Sequence, residues 1–212
     1  HLSEKYPDGT ISSEPKSEQQ LTAELKNMRQ HGIYNPTFYQ SFKNKKLLSK
    51  YMELRENAGI RPQSLYYCYG TDVECNSTPK GQADLRKRIL DVLSFFKPYG
   101  ITDVYFYGRD EASGEKLMEQ RNSWNVIHDA GGKVFVAGAV NENFDKMGDI
   151  QDLLICAFHP SLGEAAKWHS KNHKIWCYAN PQGGVENPAV YRRNYGILLW
   201  QKDYDGAATF AY

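Results

Sequence analysis

Long apolar runs are missing from this 212-residue chain. None approaches the ~18 consecutive apolar residues of a membrane-spanning helix, so no span is expected. An excess of one charge is missing as well: 26 Lys and Arg stand against 25 Asp and Glu, a formal net of +1. So even a balance argues against nucleic acid or an anionic membrane as partner. The densest basic runs, Lys43-Asn44-Lys45-Lys46 and Arg86-Lys87-Arg88, fall in stretches of helical pattern and read as solvated helix faces. Cysteine is scarce, and the four present lack zinc spacing. Cys68 and Cys75 either close a loop as a disulfide or remain two thiols, while Cys156 and Cys177 sit singly in different strands. No three of His, Asp and Glu form a convincing metal set, and no metal or other cofactor is expected. There is no Gly-rich phosphate turn, low-complexity linker or secretory leader. The chain opens at His1, as a piece of a larger protein would.

What is present is a repeated alternation of strand and helix. Helical spacing marks Ser17 to Arg29, Leu47 to Leu54, Thr78-Pro79 to Tyr99, Glu115 to Asp129, Phe144 to Met147, Leu162 to His169 and Pro188 to Trp200. Between them lie short apolar segments: Ile33 to Thr37, Ser64 to Tyr69, Ile101 to Tyr107, Lys133 to Val136, Leu153 to Ala157, Lys174 to Tyr178 and Ala207 to Ala211. Short strands alternating with helices imply parallel βαβ units. Without a phosphate turn after the first strand, the cycle favours a closed (β/α)8 TIM barrel over an open doubly wound sheet. Seven strands preceded by a helix imply a barrel lacking its first strand, with 1–212 as one barrel domain. An additional domain, another chain or upstream residues would complete it.

Barrel enzymes place their reactive groups at the C-terminal ends of the strands. Among those ends, only Ile101–Tyr107 is followed at once by two carboxylates, Asp110-Glu111, after Gly108-Arg109. Splitting a glycosidic bond takes an acid for the leaving oxygen and a second group for the positive anomeric carbon. Adjacent carboxyls cannot flank a sugar from opposite faces as acid and nucleophile. They suit substrate-assisted chemistry, in which Glu111 protonates the leaving group and Asp110 orients a 2-acetamido group whose oxygen attacks. The strand end at Tyr178 carries Asn180 and Gln182 instead of a nucleophilic Glu. A competing reading makes Asp110-Glu111 an ordinary helix start, where the dipole favours acids. Glu142 is a weaker candidate for a second, distant carboxylate.

Fifteen tyrosines and four tryptophans suit a carbohydrate cleft, since aromatic faces stack on the C–H faces of sugars. Tyr107, Tyr178, Asn180 and Gln182 are candidates for sugar or acetamide contacts. Tyr67, Tyr69, Trp176 and Tyr212 are candidate stacking platforms, with core packing as the competing role. His159 and Asn35 are read either as ligand contacts or as turn and strand-end residues. His128, His169 and His173, in or after helices, are read as surface.

Four motifs carry a resemblance. They are Tyr105-Phe106-Tyr107-Gly108-Arg109-Asp110-Glu111, Ile127-His128-Asp129-Ala130-Gly131-Gly132-Lys133, Trp176-Cys177-Tyr178-Ala179-Asn180-Pro181-Gln182 and Tyr191-Arg192-Arg193-Asn194-Tyr195-Gly196. With Trp200 and Tyr204-Asp205-Gly206-Ala207, they resemble barrel proteins carrying the domain of unknown function 4091, which are similar to glycoside hydrolase family 123. The resemblance runs from about Ser12 onward. It implies an exo-acting β-N-acetylgalactosaminidase with Glu111 as acid and Asp110 orienting the acetamido group. The partner would then be a carbohydrate or glycoconjugate, and the setting secreted or cell-surface. Such proteins usually carry an N-terminal β-sandwich and a complete barrel, and this chain has neither. A barrel that only binds carbohydrate, or assembles at a surface, is the alternative.

Overall fold

The computed structural model describes residues 1–9, 11–69, 73–157, 159–178 and 187–209, with Tyr69 described by its backbone. The helices are α1 (Glu18–Gln30), α2 (Lys45–Asn57), α3 (Pro79–Phe96), α4 (Gly114–Met118), α5 (Arg121–Asp129), α6 (Val140–Met147), α7 (Leu162–His169), α8 (Pro188–Arg192) and α9 (Leu198–Gln201). The strands are β1 (Phe38–Tyr39), β2 (Ser64–Tyr69), β3 (Asp103–Tyr107), β4 (Lys133–Gly138), β5 (Leu153–Ala157), β6 (Lys174–Tyr178) and β7 (Gly206–Ala207). Helix starts follow side-chain chemistry. Ser17 accepts from the Gln20 amide, Asn44 from Leu47 and Thr78 from Gly81, each at 3.1 Å. Each such cap contributes about 1 kcal/mol.

The strands form one parallel sheet in sequence order, β1 to β7. Successive side chains along a strand face opposite sides. Leu65, Tyr67, Val104, Phe106, Val134 and Val136 point outward and pack under the helices, as do Leu154, Cys156, Ile175 and Cys177. Tyr66, Tyr105, Phe135, Ala137, Leu153, Ile155 and Trp176 point inward and fill a second core, on which Cys68, Tyr107, Tyr178 and Ala208 pack. The Tyr66 and Trp176 rings lie 4.5 Å apart although β2 and β6 are four strands apart in the sheet. A flat sheet would separate those strands by about 19 Å at ~4.8 Å per strand. The sheet is therefore curled like a barrel wall, and no ladder joins β1 to β7 among the described residues.

Three elements differ from the sequence reading. The first strand pairs at Phe38–Tyr39, not at Ile33 to Thr37. Pro36 has no amide to donate, and 35–36 instead wraps the fully buried Arg55, whose guanidinium donates to the Pro36 carbonyl at 3.0 Å and to Asn35 Oδ1 at 3.3 Å. The helix expected over Glu115 to Asp129 is broken into α4 and α5. Gln120, 2% exposed, turns its side chain inward to take the Arg109 amide. The helix expected from Pro188 to Trp200 contains a π-turn, Arg193–Ile197, between α8 and α9. Of the last expected strand, Ala207 to Ala211, Ala207 is paired together with the preceding Gly206, and 210–211 lie outside the described residues. Cys68 and Cys75 are not joined. Cys68 faces the barrel interior, while Cys75 bonds Ser123 beside α5. No helix among the described residues is long and apolar enough to cross a membrane.

Candidate functional site

At the C-terminal end of β3 the chain makes a tight passage. Gly108 continues the ladder through its amide to the Phe135 carbonyl at 3.0 Å. A Cβ here would lie 3.0 Å from Trp124 and 3.1 Å from Gln120 Oε1, so any larger residue must push those side chains back by a few tenths of an ångström. Arg109 then points away from the barrel mouth. Its Nε and Nη2 pair with Glu74 at 3.0 and 2.8 Å, and Nη1 with Glu119 at 3.1 Å. This fastens the loop after β2 to the junction between α4 and α5.

Asp110 and Glu111 follow, both exposed. Glu111 donates its amide to the Ala137 carbonyl at 3.1 Å and has φ of +48°. Asn172 and Asp203 also have positive φ, but their short polar side chains tolerate it. For glutamate the conformation costs on the order of 1 kcal/mol, and such strain tends to gather at functional sites. The Tyr178 hydroxyl, arriving from β6 across the mouth, donates to Glu111 Oε1. The Tyr107 hydroxyl donates to Asp110 Oδ1 at 2.6 Å and accepts the Ala137 amide at 3.4 Å. Burial first, and then the bonded carboxylate, pushes both phenols far above their ordinary range, so they remain protonated donors. Cys68, inward-facing on β2, completes this corner. Burial pushes its thiol up to about 12, with the Asp110 charge adding to the rise and a hydrogen bond with Thr37 opposing it.

The helix-start reading of the acidic pair does not match the bonding. The residue before α4 is Ser113, which makes no capping bond. Its first amide, Gly114, is instead taken by Glu142 at 2.7 Å. Glu142 also pairs with Lys146 at 2.7 Å, so its charge is engaged in holding α4 to α6. Asp110 and Glu111 are left to the mouth and the two tyrosines.

The other expected residues divide. Trp176 is inside the barrel but 8% exposed, below Tyr178 and against Tyr66. It is therefore a floor to the mouth, not an open platform. Tyr67 is 3% exposed, faces outward among Phe38, Phe96 and Phe106, and donates to the Gln40 carbonyl at 2.7 Å. It does not reach the rim. Asn35 donates to the carbonyl of Ser64, the first residue of β2, at 2.9 Å. That places it at the opposite end of the barrel. His159 is exposed beyond the end of β5. Asn180, Gln182 and Tyr212 lie outside the described residues, as does the Tyr69 side chain. Cys68 was not expected at the site. The alternation of Leu65 and Tyr67 against Tyr66 and Cys68 is the signal that would have found it. Among the described residues no three of His, Cys, Asp and Glu come together as a metal site.

No protein family matches the chain by sequence, and no curated protein does. Solved structures do match. A Bacteroides thetaiotaomicron VPI-5482 protein described provisionally as an alpha-L-fucosidase aligns at TM-score 0.59 and 14% identity, over 99% of this chain and 84% of its own. D-psicose 3-epimerase from Clostridium cellulolyticum H10 aligns at 0.55 and 10%, over 89% of this chain and 78% of its own. CpGH84B, whose name places it in glycoside hydrolase family 84, aligns at 0.52 and 9%, over 82% of this chain, which spans 39% of CpGH84B. At these identities the likeness establishes the fold alone: α/β, of the TIM-barrel type, with seven parallel strands and no closing ladder among the described residues.

Proposed function

We propose that this protein is a glycoside hydrolase removing a terminal β-linked N-acetylhexosamine, N-acetylgalactosamine foremost, by substrate-assisted retention. The carrying observation is the pair Asp110-Glu111 at the barrel mouth, each carboxyl held by a tyrosine hydroxyl and neither serving as a helix cap. Glu111 gives its proton to the glycosidic oxygen as that bond breaks. The acetamido oxygen of the same sugar bonds to the anomeric carbon, while Asp110 accepts the acetamido N–H and steadies the positive charge. Water then opens the cyclic intermediate with Glu111 as base, which restores the starting configuration. Kinship with family 123 belongs to this proposal and rests on the sequence motifs. A glycosidase-type barrel is consistent with fold neighbours that carry glycoside hydrolase names. Glycans of this kind are met outside the cytoplasm, which favours a secreted or cell-surface setting.

The test is hydrolysis of aryl β-N-acetylgalactosaminide and β-N-acetylglucosaminide by the protein and its Glu111→Gln variant. Loss of a positioned general acid should lower kcat/KM by about 100-fold or more, and turnover should require the 2-acetamido group. Undiminished turnover by the variant would remove Glu111 from the role. The lack of a closing ladder between β1 and β7 among the described residues favours a second reading, a protein that binds carbohydrate without cleaving it. Sugar binding without product, indifferent to Glu111→Gln, would establish that reading.

A further inference from the structure

The described residues that follow β2 to β7 are nearly devoid of positive charge. Across 73–78, 108–113, 139, 159–161, 187 and 208–209, Arg109 is the single Lys or Arg. The same residues include Glu74, Asp110 and Glu111. Arg109 does not offset the pair at the mouth, because Glu74 and Glu119 hold its guanidinium on the outer side. Asp110 and Glu111 are bonded instead to phenols that stay neutral. No salt bridge to either carboxyl occurs among the described residues. Among the described residues of the loops after the strands, the remaining bases are His159, exposed beyond β5, and Lys43, on the loop after β1 and two strands from β3, while Lys116 stands exposed on α4.

We infer that this mouth selects glycosides by charge, taking neutral or cationic sugars and turning away sugars that carry sulfate, phosphate or carboxylate beside the reacting ring. The inference rests on the site proposed above and narrows its substrate class. An anionic substituent brought over this exposed pair of carboxyls meets like-charge repulsion, which is strongest at low salt. The two phenols bonded to the pair carry no charge to offset it. A cationic amino sugar meets the opposite field, which raises its encounter rate at low salt.

The first arm needs no turnover. Relaxation enhancement of the amide protons of 108–111 and 137–138 is measured with a cationic aminomethyl nitroxide and an anionic carboxy nitroxide, at about pH 8 so that unperturbed imidazoles are neutral. The cationic probe should act about threefold more strongly, and the gap should close as salt rises. Equal or reversed effects overturn the inference, whether or not the protein hydrolyses anything. The second arm titrates galactosamine, N-acetylgalactosamine and N-acetylgalactosamine 6-sulfate. The sulfate ester should bind at least about tenfold more weakly than its neutral parent, and the gap should shrink in the Asp110→Asn, Glu111→Gln double variant. Comparable binding of the sulfate ester overturns the inference. Should no sugar bind, the hydrolase reading fails and the nitroxide arm alone decides the charge selectivity.

Discussion

The Tyr178 hydroxyl crosses the barrel mouth to reach Glu111, so its removal isolates one bond of the proposed site. Tyr178→Phe keeps the ring and deletes the donor. A hydrogen bond to a charged group is worth about 1.5–3 kcal/mol. With partial exposure reducing that, kcat should fall about tenfold while KM stays within about twofold, read from steady-state hydrolysis. A rise in KM at constant kcat would make Tyr178 a sugar contact instead. Glu111 and Asp110 were legible in the sequence because carboxylates directly after an apolar strand stand out. Tyr107 and Tyr178 followed from the same strand ends. Tyr67 and Asn35 were not legible in the same way. Position near a strand end does not reveal which face a side chain takes, and the first strand begins later than its apolar residues suggest.

Two βα units share one bonding device at the N-terminal end of the barrel. His128, at the end of α5, bonds Asp152 Oδ2 at 2.8 Å, and that oxygen also takes the Val134 amide of β4 at 2.7 Å. His169, at the end of α7, bonds Asp205 Oδ2 at 3.0 Å, and that oxygen takes the Ile175 amide of β6 at 2.9 Å. The sequence reading left both histidines on the surface, since nothing local to a helix end shows an aspartate 24 or 36 residues away in sequence. The hydrogen bond to aspartate raises both histidine pKa values. Each clamp is therefore fully stabilising below the unfolded value of about 6.5 and is lost as pH rises through the raised folded value. Burial lowers His173, which acts in the opposite sense as pH falls below about 6.5. Urea unfolding should thus show stability declining as pH rises above about 6.5, with a shallower decline in His128→Asn. An unchanged slope in that variant would remove the clamp from the pH dependence.

At the scale of the molecule, the βα cycle made the parallel sheet and its seven strands legible, because apolar runs and helical spacing alternate throughout. Closure was less so: whether a sheet curls depends on contacts between strands remote in sequence, such as Tyr66 with Trp176. The last strand is held against that contact. A Cβ on Gly206 would lie 2.7 Å from the Trp176 indole nitrogen, so Gly206→Ala must displace the indole or β7. We expect it to destabilise the protein by about 1–3 kcal/mol by chemical denaturation. Wild-type stability would show that β7 yields freely. The placement of Trp176 has an optical consequence. Of the four tryptophans, Trp124 and Trp168 are buried beneath the helices and Trp200 is 77% exposed. Only Trp176 sits within the bore, two positions below Tyr178 on the same strand face. In a Trp200→Phe background, a ligand entering from above would alter the polarity around that one indole while the other two stay shielded. The wavelength and intensity of ultraviolet emission would then report occupancy directly, with no label attached.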